Sequence, residues 1–224
     1  MQAISNFFSK KSFYFSIIIF WMCPLLSSGI AAESADSEDL PNRLTNQELI
    51  SALQKGGYIL YFRHGITDHN TFDTDRENLS NCARQRLLSK EGRQQMHRVG
   101  LSIRQLRINI DAVESSPYCR SIDTAVLAFG RMKINNILRH TVTADEKTAL
   151  EQAQALRKRL SQVPTPGFND VLSSHTANLQ EAVGIWPKPE GIAVIFKPDG
   201  NGSFMYIATV LPALWTELAN AHNN

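Results

Sequence analysis

Tyr58-Ile59-Leu60-Tyr61-Phe62 is apolar at every position, and the next three residues are Arg63, His64 and Gly65. A strand with one wet face alternates polar and apolar residues; a run without alternation is covered on both faces. Such a strand belongs to a sheet with helices above and below it, so the chain around it has to supply two helical layers.

The rest of the sequence supplies them. Thr45-Asn46-Gln47-Glu48 reads as a capping box opening a helix to about Lys55, stopped by Gly56-Gly57. Ser89 reads as the cap of a helix to about Leu106, with Met96, Val99, Leu101, Ile103 and Leu106 at roughly helical spacing. A second strand is expected over 108–114. Ser116 and Pro117 have the chemistry of an N-cap and first helical residue for a helix reaching Phe129. Residues 145–162 carry acids first and bases last, as a helix dipole favours. A third strand over Val171–Ser174 stops at His175, and a short helix follows to about Val183. Strands over 192–197 and 204–210 flank the turn Pro198-Asp199-Gly200-Asn201-Gly202, and a helix from Pro212 closes the chain. Alternating strands and helices predict a single three-layer α/β/α domain with a mostly parallel sheet, spanning 45–224.

Ahead of it, Lys10 and Lys11 precede an apolar run from Phe13 to Leu26, then Ser27, Ser28, Gly29, Ala31 and Ala32. This order reads as a secretory signal peptide over 1–32, and the run falls short of the roughly 20 apolar residues that span a bilayer. An uncleaved anchor is the alternative. Residues 33–44 read as a flexible lead-in. The formal net charge of +2 comes wholly from the leader lysines, since the remaining chain has 21 basic and 21 acidic residues. Neither bulk nucleic-acid binding nor stable membrane insertion after leader cleavage fits that balance. Export would place Cys82 and Cys119 in an oxidising compartment, periplasmic or secreted, where two cysteines are expected to pair.

Three predicted strands each end in polar or cationic residues: Arg63 and His64; Ser115, Ser116 and Arg120; Ser174 and His175. In an open α/β sheet these carboxyl ends share one edge, where ligands bind. Two guanidiniums, two imidazoles and a helix N-terminus there describe a phosphate pocket.

Arg63-His64-Gly65-Ile66-Thr67-Asp68-His69-Asn70 resembles the RHGx(S/T)xxN signature of the histidine phosphatase superfamily, which includes the phosphoglycerate mutases. Ser115-Ser116-Pro117-Tyr118-Cys119-Arg120, with Thr124-Ala125 after it, resembles that family's SSPxxRxxxTA segment, and His175 its second histidine. The resemblance implies a phosphoglycerate mutase-like fold and a phosphoric monoester hydrolase. His64 would be the nucleophile that becomes phosphohistidine. Arg63, Arg120 and His175 would hold the phosphoryl oxygens, and Thr67 and Asn70 would add hydrogen bonds. No metal or other cofactor is implied, because fixed cations stand in for one. The leaving group still requires an acid. Glu146 is the residue assigned that role, with Asp145, Asp68 and Glu190 as the other carboxylates considered. Where one branch has Asp directly after the second histidine, this chain has Thr176, and Ser174 stands where Gly is frequent. His97, His140 and His222 are expected on exposed segments, and His69 at the rim or in solvent.

The stretch between Arg120 and His175 has no room for a large cap domain. A shallow pocket suits a phosphate carried by a bulky glycan or protein, or a small phosphorylated molecule. Asn81–Ser89, with Cys119 beside Arg120, resembles exported members of the superfamily similar to phosphatases of lipopolysaccharide core heptose; Arg84 and Arg86 would extend the basic rim. The alternative from another class is a non-catalytic protein that binds phosphate or a phosphoglycan.

Overall fold

The computed structural model describes Ala35–Asp36 and residues 40–222. The leader expected over 1–32 lies outside the described residues.

The described chain runs β1 (Ala35–Asp36), α1 (Asn46–Lys55), β2 (Ile59–Arg63), α2 (Lys90–Gln105), β3 (Ile110–Ser115), α3 (Cys119–Phe129), β4 (Lys133–Ile134), α4 (Glu146–Leu160), β5 (Asn169–Ser174), α5 (Thr176–Val183), β6 (Ile185–Trp186), β7 (Ala193–Pro198), β8 (Phe204–Val210) and α6 (Pro212–His222). The main sheet has the order β4-β3-β5-β2-β7-β8. Its first four strands are parallel, and β7 and β8 add an antiparallel edge.

The unbroken apolar run behaves as its composition demands. Leu60 and Phe62 of β2 face a cluster with Leu49 and Leu53 of α1, Met96 and Val99 of α2, Ala125 of α3 and Trp215 of α6. Ile59 and Tyr61 face the opposite cluster, with Leu156 and Leu160 of α4 and Leu179 of α5. All four strand residues are fully buried. Two helical layers therefore enclose the sheet, and alternate side chains of one strand reach both cores.

Local chemistry sets most helix starts. The Thr45–Glu48 capping box is present, and Ser89 accepts from the Gly92 N–H at the start of α2. Two expectations change. The helix expected to begin at Ser116 begins at Cys119, because the Ser116 hydroxyl is bonded to His175 instead. The described part of the lead-in expected over 33–44 is tied down: Ala35–Asp36 pairs with Ile185–Trp186, the Arg43 N–H donates to Ile207 O, and Asn42 Oδ1 accepts from the Thr209 N–H at 2.8 Å.

Register aligns the strand ends. Arg63 pairs with Ser174 and Ser115 with Ser173. Beyond the last pairs, the His64 N–H donates to Ser174 O and the Ser116 N–H to Ser173 O. Three sequence-distant loops thus leave the sheet side by side.

Candidate active site

His64 sits directly beyond β2, 3% exposed. Its Nδ1 lies 3.0 Å from the carbonyl oxygen of Gly65. A carbonyl only accepts, so Nδ1 carries the proton and Nε2 keeps its lone pair. Burial first and the charge of Arg120 next hold this imidazole well below the usual histidine range; the Gly65 carbonyl pulls the other way, and Arg63 and Arg86 add smaller pushes downward. The ring stays neutral and nucleophilic well into acid.

Packing fixes the loop that carries it. The Gly65 N–H donates to Thr124 Oγ1 at 2.9 Å, and that hydroxyl donates to Arg120 O at 2.8 Å, joining α3 to the loop. On the other side α2 comes so close that a Cβ at Gly92 would lie 1.9 Å from Ile66 O. Only glycine permits that approach.

His175 ends β5, with its ring centroid 5.5 Å from that of His64. The Ser116 hydroxyl lies 2.8 Å from His175 Nε2 and accepts from the Tyr118 N–H at 3.4 Å, and its one proton is available to Nε2 in the tautomer that accepts there. Nδ1 is then the protonated nitrogen. It is buried and has no hydrogen-bond partner. Burial first, then Arg120, His140 and His64, push the His175 pKa well below the usual value.

The charges of Arg63 and Arg120 both reach His64. Arg63 Nη1 donates to Pro187 O at 3.2 Å, and Nη2 lies 3.5 Å from Glu190 Oε1. Arg120 is 1% exposed, the second residue of α3, with its guanidinium carbon 4.5 Å from the centre of the Tyr118 ring. Nε of each arginine is buried and unpartnered. With His175 Nδ1 these are three unspent donors on residues around one nucleophile, which is the equipment of an anion hole.

Residues 59–143 match the model of the histidine phosphatase superfamily, branch 1. The chain has the histidine phosphatase fold. A solved structure of the protein histidine phosphatase SixA, complexed with tungstate, is 15% identical with a TM-score of 0.50, covering 70% of this chain and 97% of that one. A proposed alpha-ribazole-5′-P phosphatase from Escherichia coli is 13% identical with a TM-score of 0.52, at the same coverages. No curated protein matches the chain.

Within that fold, His64, His175, Arg63 and Arg120 come together as expected. Other expected residues sit differently. Thr67 Oγ1 donates to Glu190 Oε1 at 2.9 Å, and the Thr67 N–H to Oε2 at 3.1 Å. Asn70 is exposed, with its side chain on Asp68 Oδ1 at 3.1 Å in a local turn. Glu146 is the exposed first residue of α4, and Asp145 caps that helix by accepting from the Thr148 N–H at 2.9 Å. Both carboxylates serve the helix start. Glu190, by contrast, is in the site: 7% exposed, bonded to Thr67, near Arg63, and 3.9 Å from His64 Nδ1. It stands on the protonated side of the imidazole, away from Nε2. His69 is a rim residue, its Nε2 3.3 Å from Glu190.

His140 was expected on an exposed segment and is not there. Its ring packs edge-on against His175 at 4.6 Å and lies 6.0 Å from Tyr118, and burial beside Arg120 lowers its pKa to about 4. Asp73, which the sequence did not single out, is bonded to Arg120 at 3.0 Å. The Cys82–Cys119 bond is formed and ties the 66–88 segment to the start of α3.

Proposed function

We propose that this protein is an exported, metal-independent phosphomonoesterase acting through a phosphohistidine on His64. The observation that carries the reading is the His64 ring itself: neutral, with Nδ1 committed to the Gly65 carbonyl and Nε2 free, surrounded by the unspent donors of Arg63, Arg120 and His175. Those donors suit the equatorial oxygens of a phosphoryl group, and the positive charge of the two arginines suits the negative charge that is spread over them in transfer. Nε2 attacks phosphorus, the ester oxygen leaves, and water then cleaves the N–P bond. Glu190, on the Nδ1 side, supports the positive ring of the intermediate.

The disulfide supports an oxidising compartment. Among the described residues no helix is long and apolar enough to cross a membrane. The connection from α3 to β5 contains only β4, a single 3-10 turn and α4. That connection adds no cap domain, which supports a phosphate on a bulky carrier: a glycan such as a lipopolysaccharide core heptose, or a protein.

The test is hydrolysis of p-nitrophenyl phosphate in EDTA by wild type and His64→Ala. Turnover in wild type only, with acid-labile phosphate trapped on the wild-type protein after rapid quenching, is the expected result. Activity that EDTA abolishes and a divalent cation restores would refute it. Phosphate stabilising a wild type that turns nothing over would make the protein a phosphate-binding module.

A further inference from the structure

Asp73 lies in the irregular connection between β2 and α2. Its carboxylate rests on Arg120 Nη1, with Oδ1 at 3.0 Å and Oδ2 at 3.2 Å. Oδ1 also accepts from the Arg86 N–H at 2.9 Å, and the side chain is 11% exposed. This position is built. Thr67 pairs with Leu88, the Asp68 N–H donates to Leu87 O and the Thr74 N–H to Arg84 O. Gln85 reaches across, its Nε2 on Leu79 O and its Oε1 accepting from the Cys119 N–H at 2.9 Å. The disulfide clamps the same segment to α3.

The other carboxylates near the site are otherwise engaged. Glu190 stands behind His64, on the side of Nδ1. Asp68 closes its own turn. Asp145 caps α4. Asp73 is the one bonded to Arg120, the cation that a transferred phosphoryl group needs.

We propose that Asp73 is the proton donor to the leaving oxygen. The proposal rests on the phosphatase reading above. A phosphoryl group entering between His64 and Arg120 meets Asp73 on the same guanidinium, and two anions sharing one cation favour a proton on one of them. In the first half-reaction the Nε2 lone pair forms the N–P bond. The P–O bond breaks with its electron pair going to the ester oxygen, and the Asp73 carboxyl proton goes to that oxygen, releasing an alcohol. Asp73 is left as a carboxylate on Arg120. In the second half-reaction water attacks phosphorus, the N–P pair returns to Nε2, and Asp73 takes the proton that water loses. The carboxyl is thereby restored for the next turnover. The consequence for substrate class is that alkyl phosphates, including sugar phosphates, are within reach of this site, because their basic leaving oxygens are the ones that depend on an acid.

The experiment compares p-nitrophenyl phosphate with glycerol 2-phosphate for wild type, D73N and H64A. The asparagine keeps an acceptor for Arg86 N–H and Arg120 but has no proton to give. D73N should lose about 10²- to 10⁴-fold in kcat/KM on the alkyl ester, the constant that covers only the steps through departure of the leaving oxygen. Its loss on the aryl ester, whose leaving group needs little protonation, should be at least about tenfold smaller on the same reasoning. H64A should lose both. Equal losses on the two esters, or an unimpaired alkyl ester, would overturn the proton-donor role while leaving the phosphatase standing. A wild type active on neither would overturn both readings. If D73N does not fold, a series of aryl phosphates on wild type decides. A shallow dependence of kcat/KM on leaving-group basicity supports the donor, and a steep one overturns it.

Discussion

Breaking the Cys82–Cys119 bond should lower stability by about 3–4 kcal/mol and loosen the site at the same time. The two cysteines are 37 residues apart. Closing a loop of that length in the unfolded chain removes entropy worth about 3–4 kcal/mol at 25 °C. For a domain of this size each kcal/mol moves the melting temperature by roughly 2–4 °C. The expected fall is therefore roughly 6–16 °C on those two relations. Cys82 is exposed and Cys119 buried, so a reductant reaches the bond from the Cys82 side. The local consequence follows from position: Cys119 precedes Arg120, and the opened segment also carries Gln85, Arg86 and Asp73. The assay is thermal unfolding by circular dichroism with and without reductant, with free thiols counted, beside a Cys82→Ser/Cys119→Ser variant that needs no reagent. Superimposable melts for oxidised and fully reduced protein, or for wild type and the double variant, would refute both the entropy argument and the clamp.

Three buried or half-buried histidines, His64, His175 and His140, have folded pKa values below their unfolded value. Folding is thus at full strength above about pH 6.5 and weakens as the pH falls below it, toward about 4 for His140. Melting at pH 7.5 and 5.5 should show this loss, and His140→Asn should shrink it; a flat profile in wild type would contradict the burial. Gly92→Ala should cost about 1–3 kcal/mol and depress turnover, since the new methyl meets Ile66 O two residues past His64; unchanged melting and activity would argue against that close approach. Arg159 donates to Glu114 at 2.8 Å and to Asp170 at 2.7 Å, so Arg159→Ala should destabilise by about 3–5 kcal/mol by leaving two carboxylates uncompensated. A denaturant midpoint unchanged in that variant would mean solvent reaches the pair.

The layers and the cationic pair were legible because both follow from short-range rules. An apolar run without alternation needs two covering layers, and parallel strands put their last residues on one edge, whatever lies between them. Asp73 was not legible, since a polar irregular segment gives no period from which to place a side chain; its partner Arg120 is chosen by the fold. His140 was missed for the same reason: Arg139 and Thr141 flank it, and the rings of Tyr118 and His175 that pack against it come from elsewhere in the chain. Glu190 had a signal that went unused. A strand antiparallel to β2 begins where β2 ends, so the residues before β7 had to return to the His64 edge, and the Gly191 N–H does donate to His64 O.

Each cation of the site already holds a carboxylate, Arg63 with Glu190 and Arg120 with Asp73. The pocket is therefore not a bare well of positive charge that any anion fills. What remains unspent is directional: Arg63 Nε, Arg120 Nε and His175 Nδ1. An unpaired buried donor costs about 1–3 kcal/mol, and three of them around one nucleophile are hard to reconcile with stability alone. A phosphoryl group presents three oxygens in different directions, each able to accept from a separate N–H group. The paired carboxylates discount charge, the unpaired donors reward shape, and the preference for a phosphoryl group comes from the second.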